Sequence, residues 1–314
     1  MRYIVTGCAG FIGSNLALEL LRQGNDIVGI DNLDPFYPRE LKAANLADLK
    51  VFKNFSFIEA DISKADFNKR LTGPFDGIFH LAAKAGVRPS MKDPVGYTFS
   101  NVVGTVRILE LAREMGIERV VMASSSSVYG WREKGPFLET DPTDRPESPY
   151  AATKKAMEGI ARGMYKATGI NMALLRYFTV FGPRVRPDLA MSKFILNISH
   201  GLAITIFGDG SSQRDYTYVD DVVRANIAAM DRVNGFEIIN VGSGRPIKLL
   251  DMVDVIAKVL GKRPEMVFGP EQPGDVPRTW ADITKARNLL GYSPAIEFDE
   301  AVARTAKYLL KNRI

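Results

Sequence analysis

Short apolar runs rich in β-branched residues recur through the first half of the chain, at Tyr3–Thr6, Asp26–Ile30, Phe55–Ala60, Gly77–Leu81 and Arg119–Ala123. They are nearly continuous rather than alternating, the pattern of strands covered on both faces, and each is followed by a stretch with helical spacing. Phe11–Arg22 is the first such helix, and one from about Pro149 to Thr168 precedes a sixth strand at Asn171–Arg176. Repeated strand–helix units predict an α/β fold with a doubly wound parallel sheet. After about residue 180 the segments shorten and Gly/Pro punctuation thickens, as in Phe181-Gly182-Pro183, Gly208-Asp209-Gly210 and Gln272-Pro273-Gly274. Helices are predicted near Met191–His200, Val219–Asp231 and Leu249–Leu260, with a strand at Phe236–Val241. No repeat, low-complexity tract or clean linker intervenes. The expectation is a main domain of residues 1–180, joined by later returning segments, and a smaller interleaved α/β lobe made mainly by residues 181–314, with a cleft between them.

Composition narrows the class. Of 314 residues 46% are hydrophobic and 25% charged, with 27 glycines and 17 prolines; this excludes disordered, collagen-like and disulfide-stapled chains. Cys8 is the single cysteine and forms no internal disulfide. Met1–Gly7 runs directly into the first strand without the apolar region of a signal peptide, and no apolar stretch approaches the roughly 20 residues that span a bilayer. A soluble cytoplasmic protein with no membrane partner is therefore expected. Forty-one basic against 36 acidic residues give a net charge of +5. These charges are interspersed, with no basic run or RNA-binding aromatic motif, so the excess suits a small anionic substrate better than nucleic acid. The chain has only three glutamines, in keeping with a thermophilic source. No metal site is expected.

The strongest local motif is Gly7-Cys8-Ala9-Gly10-Phe11-Ile12-Gly13, which follows the first strand and opens the first helix. Glycines permit a tight turn and close backbone approach, and the helix N-terminus offers unpaired N–H groups to a pyrophosphate. Asp31 closes the second strand, where a carboxylate accepts hydrogen bonds from ribose hydroxyls and repels a 2′-phosphate; Asn32 rather than Arg follows it, which favours NAD over NADP. Asp61-Ile62, after the third strand, is placed to reach the adenine. A serine run, Ser124-Ser125-Ser126-Ser127, precedes Val128-Tyr129-Gly130, and further on stands Tyr150-Ala151-Ala152-Thr153-Lys154. Tyrosine and lysine four apart share one helix face. An ammonium beside the phenol favours phenolate, lowering a pKa of about 10, and a serine at the strand end completes a proton relay.

Taken together these motifs resemble the extended short-chain dehydrogenase/reductase family over essentially the whole chain, and within it the nucleotide-sugar 4-epimerases. The resemblance implies a Rossmann-type NAD-binding domain at residues 1–180, a UDP-sugar-binding lobe at 181–314, and a homodimer packed through Val102–Met115 and Tyr150–Thr168. It implies that Gly7, Gly10 and Gly13, with Phe11 and Ile12, hold the cofactor pyrophosphate. Asp31 and Asn32 would hold the ribose, and Asp61, Ile62, Leu81, Ala82, Ala83, Lys84 and Tyr177 would complete the cofactor site. Tyr150, Lys154 and Ser125 are the implied catalytic set, with Ser126 as the alternative serine. Arg184-Val185-Arg186-Pro187 and Ala85-Gly86-Val87-Arg88-Pro89 are similar to UDP-glucuronate 4-epimerases, as is Gln272-Pro273-Gly274-Asp275-Val276-Pro277. Substrate contacts are then expected from Arg88, Ser125, Ser126, Ser127, Thr179, Arg186, Arg214, Asp275 and Arg278. The implied reaction is NAD-dependent C4 epimerisation of a UDP-sugar, UDP-glucuronate first. A UDP-glucose/UDP-galactose 4-epimerase and a non-catalytic NAD-binding scaffold are the alternatives. Decarboxylases and 4,6-dehydratases of the family place an acid in the segment where this chain has only serines, which counts against both.

Overall fold

A computed structural model of the chain describes residues 1–132, 134–272 and 274–312; Pro273, in the motif singled out above, lies outside them. Twelve strands are present among these residues. They are β1 (Arg2–Thr6), β2 (Asp26–Asp31), β3 (Phe55–Glu59), β4 (Gly77–His80), β5 (Arg119–Ser125), β6 (Asn171–Tyr177), β7 (Thr179–Phe181), β8 (Ile204–Phe207), β9 (Gln213–Tyr218), β10 (Phe236–Val241), β11 (Pro246–Lys248) and β12 (Met266–Gly269). Seven form one sheet in the order β10-β6-β5-β4-β1-β2-β3, every pair parallel. The order reverses between β1 and β4, the topological switch point at which ligands bind in open α/β sheets.

The α-helices among the described residues are α1 (Phe11–Arg22), α2 (Arg39–Lys50), α3 (Val87–Lys92), α4 (Pro94–Tyr97), α5 (Gly104–Glu114), α6 (Pro149–Thr168), α7 (Ala190–Ser199), α8 (Val219–Arg232), α9 (Leu249–Leu260), α10 (Thr284–Leu290) and α11 (Phe298–Lys311). Alternate residues of each strand enter opposite cores. Tyr3, Val5, Phe79, Val121 and Leu175 join the core containing α1 and α8, while Ile4, Ile78, Val120, Met122 and Leu174 face Ile108, Met157 and Ala161 of α5 and α6. That two-sided burial is why the strands read as continuous apolar runs. Among the described residues no helix is long and apolar enough to cross a membrane.

Three expectations need correction. Phe55–Glu59 is an edge strand with Ser56 and Glu59 exposed, not one buried on both faces. No helix follows it: Asp61 accepts from the backbone and hydroxyl of Ser63, and turns run to Arg70. This is the preference of Asp for its own local turn over helix. The stretch after β4 is broken into α3, α4 and a π-helical segment, Thr98–Val103, before α5. The later segment Phe236–Val241 forms the seventh strand of the main sheet, and α8 packs against that sheet, with Met230 beside Gly77. The remaining small sheets are β11-β9-β7 and β12-β8.

Candidate active site

A cavity of about 470 Å³ lies over the carboxyl ends of β1, β2, β4, β5 and β6, within the usual range for small-molecule sites. Its first wall is the glycine turn. Gly7 adopts a left-handed φ of 71°, and a Cβ there would lie 2.7 Å from the Ala82 nitrogen. A Cβ on Gly13 would collide with the Gly7 carbonyl, so both positions require glycine. The first intrahelical bond runs from Ser14 N to the Gly10 carbonyl, which leaves the N–H groups of Phe11, Ile12 and Gly13 without intrahelical partners at the cavity edge. Asp31 is buried at the end of β2, its carboxylate accepting from Ala9 N at 3.1 Å and Leu33 N at 2.8 Å. Asn32, Asp61, Ile62, Leu81, Ala82 and Ala83 line the same wall. This set fits a dinucleotide: bare N–H groups at a helix start, a carboxylate one strand over, and no room for side chains between them.

Lys84 also lines the cavity, but its ammonium is held by Asp93 at 2.8 Å and Asp34 at 3.8 Å, and the Asp93 bond raises its pKa. The Lys84 backbone is gripped by Asn101, whose amide oxygen accepts from Lys84 N (2.8 Å) and whose amide nitrogen donates to Lys84 O (3.0 Å) and Thr153 Oγ1 (3.0 Å). Thr153 in turn donates to the Tyr150 carbonyl. Asn101 sits in the π-helical segment, a feature often found beside functional sites, and nothing in the local sequence marks it.

The second wall carries Tyr150, Lys154 and the serines. The run of four hydroxyls is sorted by its neighbours. Ser124 donates to Glu158 at 2.7 Å, Ser127 N donates to Ser125 Oγ, and the Ser125 hydroxyl, which donates to Ser127 Oγ at 3.1 Å, lies beside Tyr150. Burial raises the Tyr150 pKa, opposed first by the Ser125 hydrogen bond and then by the Arg186 guanidinium. The expected lowering by Lys154 is not what this geometry gives. The lysine ammonium is drawn instead to the Ala123 carbonyl, 2.6 Å away, and its own pKa falls to about 8 because burial outweighs the nearby Glu158 charge. Glu158 is clamped by Arg176 through two 2.8 Å bonds, an ion pair buried directly behind the serines. Neither Glu158 nor Arg176 was singled out in the sequence; both lie on ordinary helix and strand patterns.

Tyr177, Thr179, Arg186, Arg214 and Asp275 complete the lining. Tyr177 donates to Asn226 of α8 at 2.8 Å. Arg186 pairs with Asp188 and lies over the Phe36 ring. Burial presses against the charge of Arg214, leaving a guanidinium poised for an anion. Arg88 and Arg278 do not line the cavity. Arg88 is turned to Asp275 (2.7 Å) and over the Phe207 ring, and the Arg278 backbone forms an isolated β-bridge with Gln213.

Comparison with known proteins agrees with this geometry. The NAD dependent epimerase/dehydratase family profile matches residues 3–242. A UDP-glucuronate 4-epimerase of Thermodesulfobacterium geofontis is 40% identical over 313 residues, covering 99% of this chain and 96% of the relative. The crystal structure of UDP-glucuronic acid 4-epimerase from Bacillus cereus, in complex with UDP-glucuronic acid and NAD, superimposes with a TM-score of 0.94 at 37% identity, covering 99% of this chain and all of the other. A UDP-glucose 4-epimerase from Thermotoga maritima with UDP-glucose reaches 0.92 at 32% identity, with both chains fully covered. The glycine turn, the Tyr150–Lys154 pair and the seven-stranded sheet thus have one common account: the chain belongs to the NAD dependent epimerase/dehydratase family.

Proposed function

We propose that this protein is an NAD-dependent nucleotide-sugar epimerase that inverts C4 of UDP-glucuronate reversibly, giving UDP-galacturonate. The observation that carries this reading is the joining, in one cavity, of a dinucleotide turn at one end with Tyr150, Ser125 and two arginines, Arg186 and Arg214, at the other. Arg214 offers its charge to the diphosphate. Tyr150 removes the proton of the 4-hydroxyl, with Ser125 sharing it and Lys154 fixing the strand end through Ala123. When bound, NAD supplies the hydride acceptor for C4 and, oxidised, a positive charge that joins Arg186 against the burial of Tyr150. The 4-keto sugar then swings about its diphosphate tether and presents its other face.

Oxidation at C4 makes the sugar a β-keto acid, which loses carbon dioxide once its carboxylate aligns with the ketone. The site must hold the carboxylate out of that alignment. Ser126, Ser127 and Thr179 offer hydroxyls for this, and Arg186 offers charge. Thr179 is a small neutral residue, and the Thermotoga relative acts on UDP-glucose by name, so UDP-glucose is the second substrate to test. Residues of β7 and β9, carrying Thr179 and Arg214, form the sugar-side lobe in this reading. A second copy is expected along α5 and α6, where Gly159 and Gly163 face open space. Assaying product from UDP-glucuronate and UDP-glucose side by side, with the nucleotide released on denaturation identified by its spectrum, tests the proposal. Bound NAD without turnover of either sugar would leave only the scaffold reading.

A further inference from the structure

The wall that meets the adenosine end of the cavity contains a cation that the sequence pattern did not reveal. Lys42 lies in the first turn of α2, and its side chain is only 8% exposed. Asn45, one turn on, donates to the Ala9 carbonyl and docks this helix face against the glycine turn. The Lys42 ammonium is 3.7 Å from Asp31 Oδ1, beyond hydrogen-bonding distance, and 5.1 Å from the Tyr37 ring centre; it makes no hydrogen bond among the described residues. The Tyr37 hydroxyl is itself buried without a partner, near the spot a Cβ on Gly10 would occupy. Asp31, Tyr37, Lys42 and Gly10 all line the one cavity.

For the fold alone this is an unfavourable arrangement. Holding a largely buried lysine whose ammonium meets the cavity with unused donors is costly, and the start of a helix is the positive end of its dipole. Asp31 offsets only part of that cost, because its two oxygens already accept from Ala9 N and Leu33 N. The ammonium and the Tyr37 hydroxyl therefore remain available to acceptors entering the cavity. The pair also changes the charge at the ribose position. A lone carboxylate repels a 2′-phosphate, but a carboxylate with a lysine 3.7 Å away presents close to no net charge.

Resting on the NAD reading above, we propose that Lys42 is a specificity-determining residue of the dinucleotide site. With Asp31 ionised, the pair holds ribose hydroxyls; with Asp31 neutralised, Lys42, assisted by Tyr37, captures a 2′-phosphate. Discrimination between the two cofactors thus rests on the balance of Asp31 against Lys42, not on Asp31 alone.

The test measures dissociation constants of NADH and NADPH, by nicotinamide fluorescence, on the full-length chain freed of nucleotide. Asp31→Asn is expected to shift the preference toward NADPH by about tenfold or more, the scale of a hydrogen bond to a charged group. Adding Lys42→Met should abolish that gain, and adding Lys42→Arg should retain it. Asp31→Ser, which removes the carboxylate altogether, repeats the comparison if Asp31→Asn folds poorly. An equal gain with and without Lys42, or no gain in either Asp31 variant, overturns the assignment of Lys42 while leaving NAD binding intact. Failure of the wild-type chain to bind NADH overturns the dinucleotide reading and the inference with it.

Discussion

His80, one of only two histidines, ends β4 beneath the glycine turn and should make the cleft sensitive to acid. Thr6 Oγ1 accepts from Leu81 N and Ala82 N, so its hydroxyl proton points at His80 Nδ1, 2.8 Å away. On the other side Nε2 lies 3.1 Å from Thr105 Oγ1, whose own proton goes to the Asn101 carbonyl. These bonds assign the neutral ring protonated on Nε2, and a proton on Nδ1 would meet a donor. Burial, aided by the Lys154 charge, accordingly lowers the His80 pKa from 6.5 to about 3. A histidine depressed in the folded state contributes stability that is present above about pH 6.5 and is lost as pH falls towards 3. Between pH 7 and pH 5 the loss comes to about 2 kcal/mol for this one group. Urea unfolding of wild type and His80→Gln at both pH values isolates it, since the other titrating groups are common to both proteins. Wild type should lose about 2 kcal/mol more than the variant over that interval. A gap between the proteins that is independent of pH would refute the locked neutral ring.

Three other substitutions probe the site. Tyr150→Phe should retain NAD while kcat falls about 10²- to 10⁴-fold; near-wild-type turnover removes Tyr150 from the chemistry. Lys154→Met should change alkaline stability: because burial lowers the Lys154 pKa from 10.5 to about 8, wild type should gain about 2 kcal/mol on the variant between pH 8 and pH 10, and parallel curves would mean the lysine is not depressed. Thr179→Ala should impair UDP-glucuronate turnover roughly 10- to 150-fold more than UDP-glucose turnover, with traces of a decarboxylated UDP-pentose; equal losses on both sugars would assign Thr179 to packing alone.

What the chain discloses locally, it discloses well. Helix Pro149–Thr168, helix Leu249–Leu260 and strand Phe236–Val241 are bounded as the pattern predicts, because Ser148 caps the first and left-handed glycines, Gly169 and Gly261, end the two helices. The glycine turn is legible for the same reason, since Gly7 and Gly13 are dictated by contacts within a few residues and with the adjoining strand end. Arg88 shows where this stops: the motif that contains it lies at the cavity, but its side chain finds Asp275 instead.

The charges that govern the chemistry were hidden because each is set by a partner remote in sequence. Lys154 shares a helix face with Tyr150, as the i, i+4 spacing requires, yet its ammonium has a choice between a phenol and a strand carbonyl. The carbonyl of Ala123 wins, and spacing along one helix contains no information about that competition. The serine run poses the same problem four times over. Ser124 is committed to Glu158 only because Arg176, from the neighbouring strand, holds that carboxylate in place. Its successor, Ser125, is paired with Ser127 through its hydroxyl and lies beside Tyr150. Sequence offers four equivalent donors, and it is the buried ion pair behind them that makes them unequal.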